Sequence, residues 1–324
     1  MARCRGDTAP RHGAHAQAGA HAAASARPKR GWTVVLVIAV IVLVAALAVL
    51  AVLGISYLQG RQEYASVAES VDANDVLATL DQDAAAADGS GASDDGALAA
   101  VTLDWNTLRA VNPDVVGWIY IPGTTVNYPI VQRDNSYYLR HDFRGSTGWL
   151  AQYGAIFLDE HNASDFSDEG VFIYGHHMND GSMFAPVDAM SSQSKFDAHR
   201  TVYVLTPEKN YRLRSFAIVH CAGNARIVQT AFSSDAERAA YLGDMVQQAT
   251  ASSPNAAQAA GADRFFALVT CDNAYTEGGR YVLYCTVDAE EDAGGADGGL
   301  AVADDVVAAG DAASIDDAAA DEVG

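Results

Sequence analysis

The sequence predicts a mainly β domain, a closed barrel or sandwich of short strands with few helices, preceded by a membrane-spanning helix. Three observations predict it. Short β-like runs separated by turn residues recur through the second half of the chain. A single long apolar run lies near the N-terminus. Between flanks rich in Ala, Asp and Gly, only Leu103 to about Asp288 holds enough aromatic and β-branched residues for a core.

Composition divides the chain accordingly. Residues 1–31, rich in Ala, Arg and His, and the acidic stretches 58–102 and 289–324 carry too little apolar surface to offset the entropy of ordering. They are expected to be a disordered cytoplasmic N-terminus, a disordered linker and a disordered tail. Residues 32–57 are the expected membrane helix and 103–288 the folded domain. The formal charge is −21, from 20 Lys and Arg against 41 Asp and Glu, and it lies largely in the acidic flanks. No basic patch is available to neutralise phosphates, which argues against a nucleic-acid partner.

Val34 to Leu53 is an unbroken apolar run of about 20 residues, which at ~1.5 Å per residue spans a ~30 Å hydrocarbon core. Arg27, Lys29 and Arg30 precede it, so the N-terminus is expected in the cytoplasm and the folded domain outside. A cleaved signal peptide is the competing reading. The run is longer than a signal core of about 7–15 residues, and Gly54-Ile55-Ser56-Tyr57 is a poor cleavage site. Of the four cysteines, Cys221, Cys271 and Cys285 then lie outside. An odd number there leaves at least one thiol unpaired.

Within the domain, Asp104 can cap a short helix that ends before Pro113. Gly117 to Ile121 alternates as a strand, Pro122-Gly123 turns the chain, and Val126 to Val131 reads as the next strand. Further strands are expected at Ala155 to Leu158, Val171 to Tyr174, Thr201 to Leu205, Tyr211 to Val219, Phe265 to Thr270 and Tyr281 to Val287. One amphipathic helix is expected over Asp235 to Thr250, with Leu242, Met245 and Val246 on one face. There is no internal repeat, no Gly-rich phosphate loop and no Cys/His spacing of a zinc site.

Cys271 ends one expected strand and Arg280 opens the next. If the two pair as a hairpin, thiol and guanidinium can face the same side. A guanidinium there favours the thiolate and can bind a tetrahedral oxyanion. Cys285, an odd five residues beyond Arg280, turns to the other face. Gly175 breaks the strand Val171 to Tyr174 just before His176 and His177. An imidazole at that strand mouth could serve a thiol as acid and base. His220 lies inside a strand and reads as structural, whereas His141 and His161 sit in polar loops and read as solvated.

From Asn112 to about Val287 the chain resembles the sortases, and its pattern is most similar to class B. The matching stretches are NPDVVGWIYIPGTTVNYPIVQ (112–132), NSYYLRHDF (135–143), YGAIFLDEHN (153–162), VFIYGHHMNDGSMF (171–184) and LVTC (268–271), followed by Arg280. The resemblance implies an eight-stranded sortase-type β-barrel with a few short helices. It implies a membrane-anchored cysteine transpeptidase needing no cofactor or metal. Such an enzyme cleaves an LPxTG-like or NPxTN-like signal in surface proteins and passes the acyl group, through a thioester, to an amine of a cell-wall precursor. It carries the nucleophile onto Cys271, the catalytic histidine onto His176 rather than His177, and the arginine onto Arg280. Asn135 and Leu139 match residues that line the substrate groove, and Val269 and Thr270 precede the nucleophile on the substrate side. Val269 stands where class B enzymes usually have Ser, and Asp272 after the cysteine looks like another class. No apolar segment follows the barrel, which favours anchoring over pilus building. A surface cysteine protease and a non-catalytic binding module are the alternative readings.

Overall fold

The computed structural model describes residues 30–89, 98–147, 153–223, 225–272 and 278–294. The segment before residue 30 that was expected to be cytoplasmic, residues 90–97 of the expected linker and the acidic tail after 294 lie outside the described residues. The chain divides into two compact units, one ending at Ile55 and one beginning at Ser56. Helix α1 (Arg30–Ser70) contributes to both. Its part within the first unit is exposed along its apolar length, and α1 is long and apolar enough to cross a membrane.

The second unit corrects one expectation. Residues 58–70 and 73–89 are helical rather than a disordered linker, formed by the end of α1 and by α2 (Ala73–Gly89) with a two-residue turn between them. Composition hides the reason. Tyr64, Val67, Ala68 and Val71, then Leu77, Leu80 and Ala84, recur at helical spacing and are buried in the main core. Fully burying each Leu contributes about 1.5–3 kcal/mol. Polar ties add direction, since Tyr203 donates to the Leu80 carbonyl at 3.2 Å and the Asn210 amide donates to the carbonyls of Leu98 and Val101.

Helix α3 (Trp105–Val111) follows, with the Asp104 carboxylate accepting from the Thr107 N–H at 3.0 Å. The strands are β1 (Val115–Tyr120), β2 (Asn127–Gln132), β3 (Ile156–Leu158), β4 (Gly170–Gly175), β5 (Thr201–Leu205), β6 (Lys209–Ala222), β7 (Ala249–Ser252), β8 (Phe265–Asp272) and β9 (Gly279–Asp292). Short helices α4 (Ala185–Ala189) and α5 (Gln193–Ala198) lie between β4 and β5. Helix α6 (Asp235–Gln247) precedes β7, and α7 (Ala256–Ala259) follows it.

The sheet runs β5-β1-β2-β3-β4-β8-β9-β6, and β6 pairs back to β5 to close eight strands into a barrel; β7 adds to β6 outside that ring. β7 occupies the end of the expected Asp235–Thr250 helix, where the small residues Ala249 to Ser252 pair with β6 instead. β9 runs to Asp292, past the expected domain end at 288. Most pairings are antiparallel, but β2–β3 and β4–β8 are parallel. Side-chain alternation on β8 separates two cores. Phe266 and Leu268 join Trp118 and Leu283 in the main cluster, while Phe265, Ala267 and Val269 join Phe216, Tyr284 and Leu242 of α6 in the second. Arg238 docks α6, donating to the Ala262 carbonyl at 2.9 Å and pairing with Glu169.

Candidate active site

Strand register assembles the site. β4 and β8 run parallel with Gly175 opposite Thr270, so one residue further His176 comes beside Cys271. β8 and β9 pair antiparallel with Cys271 directly opposite Arg280, the hairpin expected from the sequence. The backbone therefore brings His176, Cys271 and Arg280 to one end of three adjacent strands. Gly175 is needed at this point. A Cβ there would lie 2.5 Å from Ile156 and 2.7 Å from the Phe184 ring.

The histidines separate by their partners. His176 Nε2 lies 2.8 Å from the Leu139 carbonyl. A carbonyl only accepts, so Nε2 carries a proton and Nδ1 is the nitrogen that can exchange one in the cleft. His177 turns to α4, with Nδ1 2.7 Å from the Asp188 carboxylate. His220 packs on Tyr281, with ring centroids 4.8 Å apart. His141 stacks on Tyr137 and bonds its carbonyl.

A cleft of about 510 Å³ opens here, lined by His176, Arg280 and all four expected groove residues, Asn135, Leu139, Val269 and Thr270. Its volume suits a short peptide segment. Asn135 is held rigidly, donating to the buried Asp159 carboxylate at 3.0 Å and accepting from the Glu160 N–H at 2.9 Å. Thr270 is buried, and its hydroxyl has no hydrogen-bond partner among the described residues.

Sequence reasoning missed part of this wall. Asp159, His161, Tyr174, Val228 and Thr230 also line the cleft. His161 was expected to be merely solvated. It is largely exposed, but its Nδ1 sits 2.8 Å from Asp159, whose carboxylate raises the imidazole pKa. The Tyr174 hydroxyl is pushed up by burial and by Asp159, with Arg280 opposing. The polar run Asp159-Glu160-His161 directly after β3 was the signal available for the first two.

The remaining thiols do not pair. Cys221 and Cys285 are both free, and β6–β9 register sets Cys221 opposite Arg280 but Cys285 opposite Ser215. Burial pushes both thiols up, and Arg280 partly opposes this at Cys221. Such burial makes a thiol less reactive. Among the described residues no cluster of His, Cys, Asp and Glu is placed to hold a metal ion.

A closed barrel carrying a cysteine, a histidine and an arginine at the ends of neighbouring strands has the makings of a cysteine acyl-transfer enzyme. The sortase-domain family model matches residues 119–288, more than half of the chain, and the chain belongs to the sortase family of cysteine transpeptidases. Its relatives point to class B. The sortase B of Listeria monocytogenes is 35% identical over 178 residues, covering 54% of this chain and 70% of that protein. A Bacillus anthracis sortase B structure in complex with AAEK1 shares 32% identity at a TM-score of 0.50, covering 56% of this chain and 83% of that one. A Staphylococcus aureus sortase B–substrate complex shares 27% identity at a TM-score of 0.50, with the same coverage of 56% and 83%.

Proposed function

We propose that this chain is a membrane-anchored sortase that cleaves an LPxTG-like or NPxTN-like signal in surface proteins and passes the acyl group to a cell-wall precursor amine. The observation carrying this is the strand register that sets Cys271 opposite Arg280 and one residue beyond the Gly175–Thr270 pair, with His176 and Arg280 lining the cleft. α1 supplies the anchor, with the N-terminus inside and the catalytic unit outside.

The Cys271 thiolate attacks the carbonyl of the signal's Thr-Gly or Thr-Asn bond, and Arg280 stabilises the oxyanion. The C–N bond breaks as the His176 imidazolium gives its Nδ1 proton to the departing amine, leaving a Cys271 thioester. Nε2 keeps its proton on the Leu139 carbonyl throughout, so the ring stays oriented while Nδ1 cycles. An incoming amine gives a proton to Nδ1 and displaces the thiolate. Asn135, Leu139, Val269 and Thr270 line the cleft as the surfaces that read the signal. Confinement of enzyme and acceptor to one membrane raises their effective concentration.

A panel of LPxTG-like and NPxTN-like peptides, with the acyl-enzyme trapped and located by mass spectrometry, tests this reading. The expected result is acylation of Cys271 by one peptide class and a ligated product when amine is added. Hydrolysis alone at saturating amine would replace transfer by proteolysis, and failure of Cys271 to acylate would favour a binding module.

A further inference from the structure

The hydroxyl of Tyr64, on the part of α1 that belongs to the second unit, reaches the backbone that seats His176. Two contacts orient that imidazole. At the start of the 138–154 segment, the Leu139 carbonyl accepts from Nε2 at 2.8 Å. At its end, Gly154 packs closely against the ring. A Cβ on Gly154 would come 2.6 Å from His176 Cδ2 and 2.8 Å from the Tyr138 carbonyl, and its φ of +55° belongs to the left-handed region. The Tyr138 carbonyl also accepts from the Ala155 N–H at 3.1 Å, which ties Tyr138 to the residue after Gly154.

Tyr64 ties this segment at two places. Its hydroxyl donates to the Gly154 carbonyl at 2.5 Å and accepts from the Phe143 N–H at 3.3 Å. The residue is only 5% exposed, and its ring meets Tyr128 edge-on with centroids 5.2 Å apart. One turn earlier, Gly60 allows α1 to close on the Tyr153 ring, where a Cβ would come within 2.4 Å. The helix thus grips the residues on either side of the peptide that faces His176.

We propose that Tyr64 is a positioning residue for His176, holding the Leu139 carbonyl and Gly154 where they orient the imidazole. This rests on His176 being the acid and base of the reaction. Because Tyr64 does not face the cleft, its loss acts on the histidine's orientation and leaves the groove residues in place.

The test compares the full-length protein with its Tyr64→Phe variant, which deletes one oxygen. Imidazole ¹⁵N signals are assigned through His176→Gln. Spectra are recorded at a pH high enough for the ring to be neutral, where the expected wild-type signal is the Nε2–H tautomer. In Tyr64→Phe the His176 signal should shift toward a mixture of tautomers, and kcat should fall about tenfold with KM little changed. An unaltered His176 signal with unaltered kcat overturns the proposal, as does a drop in KM-linked binding alone. If Tyr64→Phe does not fold, the wild-type spectrum still decides, because an Nδ1–H tautomer contradicts the Leu139 anchor. Failure of wild-type Cys271 to acylate would instead sink the catalytic reading itself.

Discussion

The two sides of the cleft are built differently. The β4–β8–β9 side is set by strand register, so Thr270, Cys271 and Arg280 hold their places through backbone pairing. The opposite wall, in its described residues between Asn135 and His161, is mostly loop and turn held by side-chain hydrogen bonds to Asp159, Tyr138 and Tyr64. Substituting a strand-set side chain removes its chemistry and leaves its neighbours standing. Removing a loop-set side chain displaces the groups it was holding.

The strand side carries the largest expected effects. Cys271→Ala should abolish acyl-enzyme and lower kcat/KM by about 10⁴-fold or more, while the melting temperature stays near wild type. Arg280→Lys keeps the charge but loses the planar fork and should cost about 10²-fold, mainly in kcat. A large loss of stability in either would break the comparison, since backbone register would then depend on those side chains.

This difference also decided what was legible in the sequence. Alternating runs revealed the eight barrel strands, and parity on the second strand of one hairpin set Cys285 on the face opposite Arg280, where the structure shows it buried. The partnership of β4 with β8 is parallel and crosses nearly a hundred residues of sequence, so nothing local in Val171–Tyr174 announced it. Choosing His176 over His177 needed the sortase likeness. The structure supplies the physical separation, with one ring held by the Leu139 carbonyl and the other by Asp188. The helical stretch 58–89 was misread because average composition weighed its many Ala and Asp residues and ignored the spacing of Tyr64, Val67, Leu77 and Leu80. Asp159 and Tyr64 were missed for a different reason, since their importance lies in long-range hydrogen bonds to Asn135 and Gly154.

On the loop side a middling effect is expected from Asp159→Ala. The carboxylate accepts from the Asn135 amide at 3.0 Å and from the His161 N–H at 2.9 Å, so its loss frees both residues at the cleft. Peptide KM should rise about tenfold with kcat within about twofold, the scale of one charge-assisted hydrogen bond. A fall in kcat as large as that of Arg280→Lys would show that this wall also orients the reacting groups.

The smallest effect is a titration. The Asp159 carboxylate accepts from His161 Nδ1 at 2.8 Å and favours the imidazolium, so His161 should titrate above the ordinary value of about 6.5. The sign follows from linkage. A histidine raised on folding stabilises the fold fully below its unfolded pKa and loses that contribution as pH climbs through the raised value. His161 is exposed, so solvent screens the pair and little global stability is at stake. The change that matters is local: the hydrogen bond from Asp159 extends upward the pH range over which the loop wall of the cleft carries a cation. An NMR titration of the histidine ring protons should find the His161 midpoint above that ordinary value, falling toward it in Asp159→Asn. A wild-type midpoint at or below about 6.5 would mean the carboxylate does not hold His161, and the tightly tied loop wall would lose one of its ties.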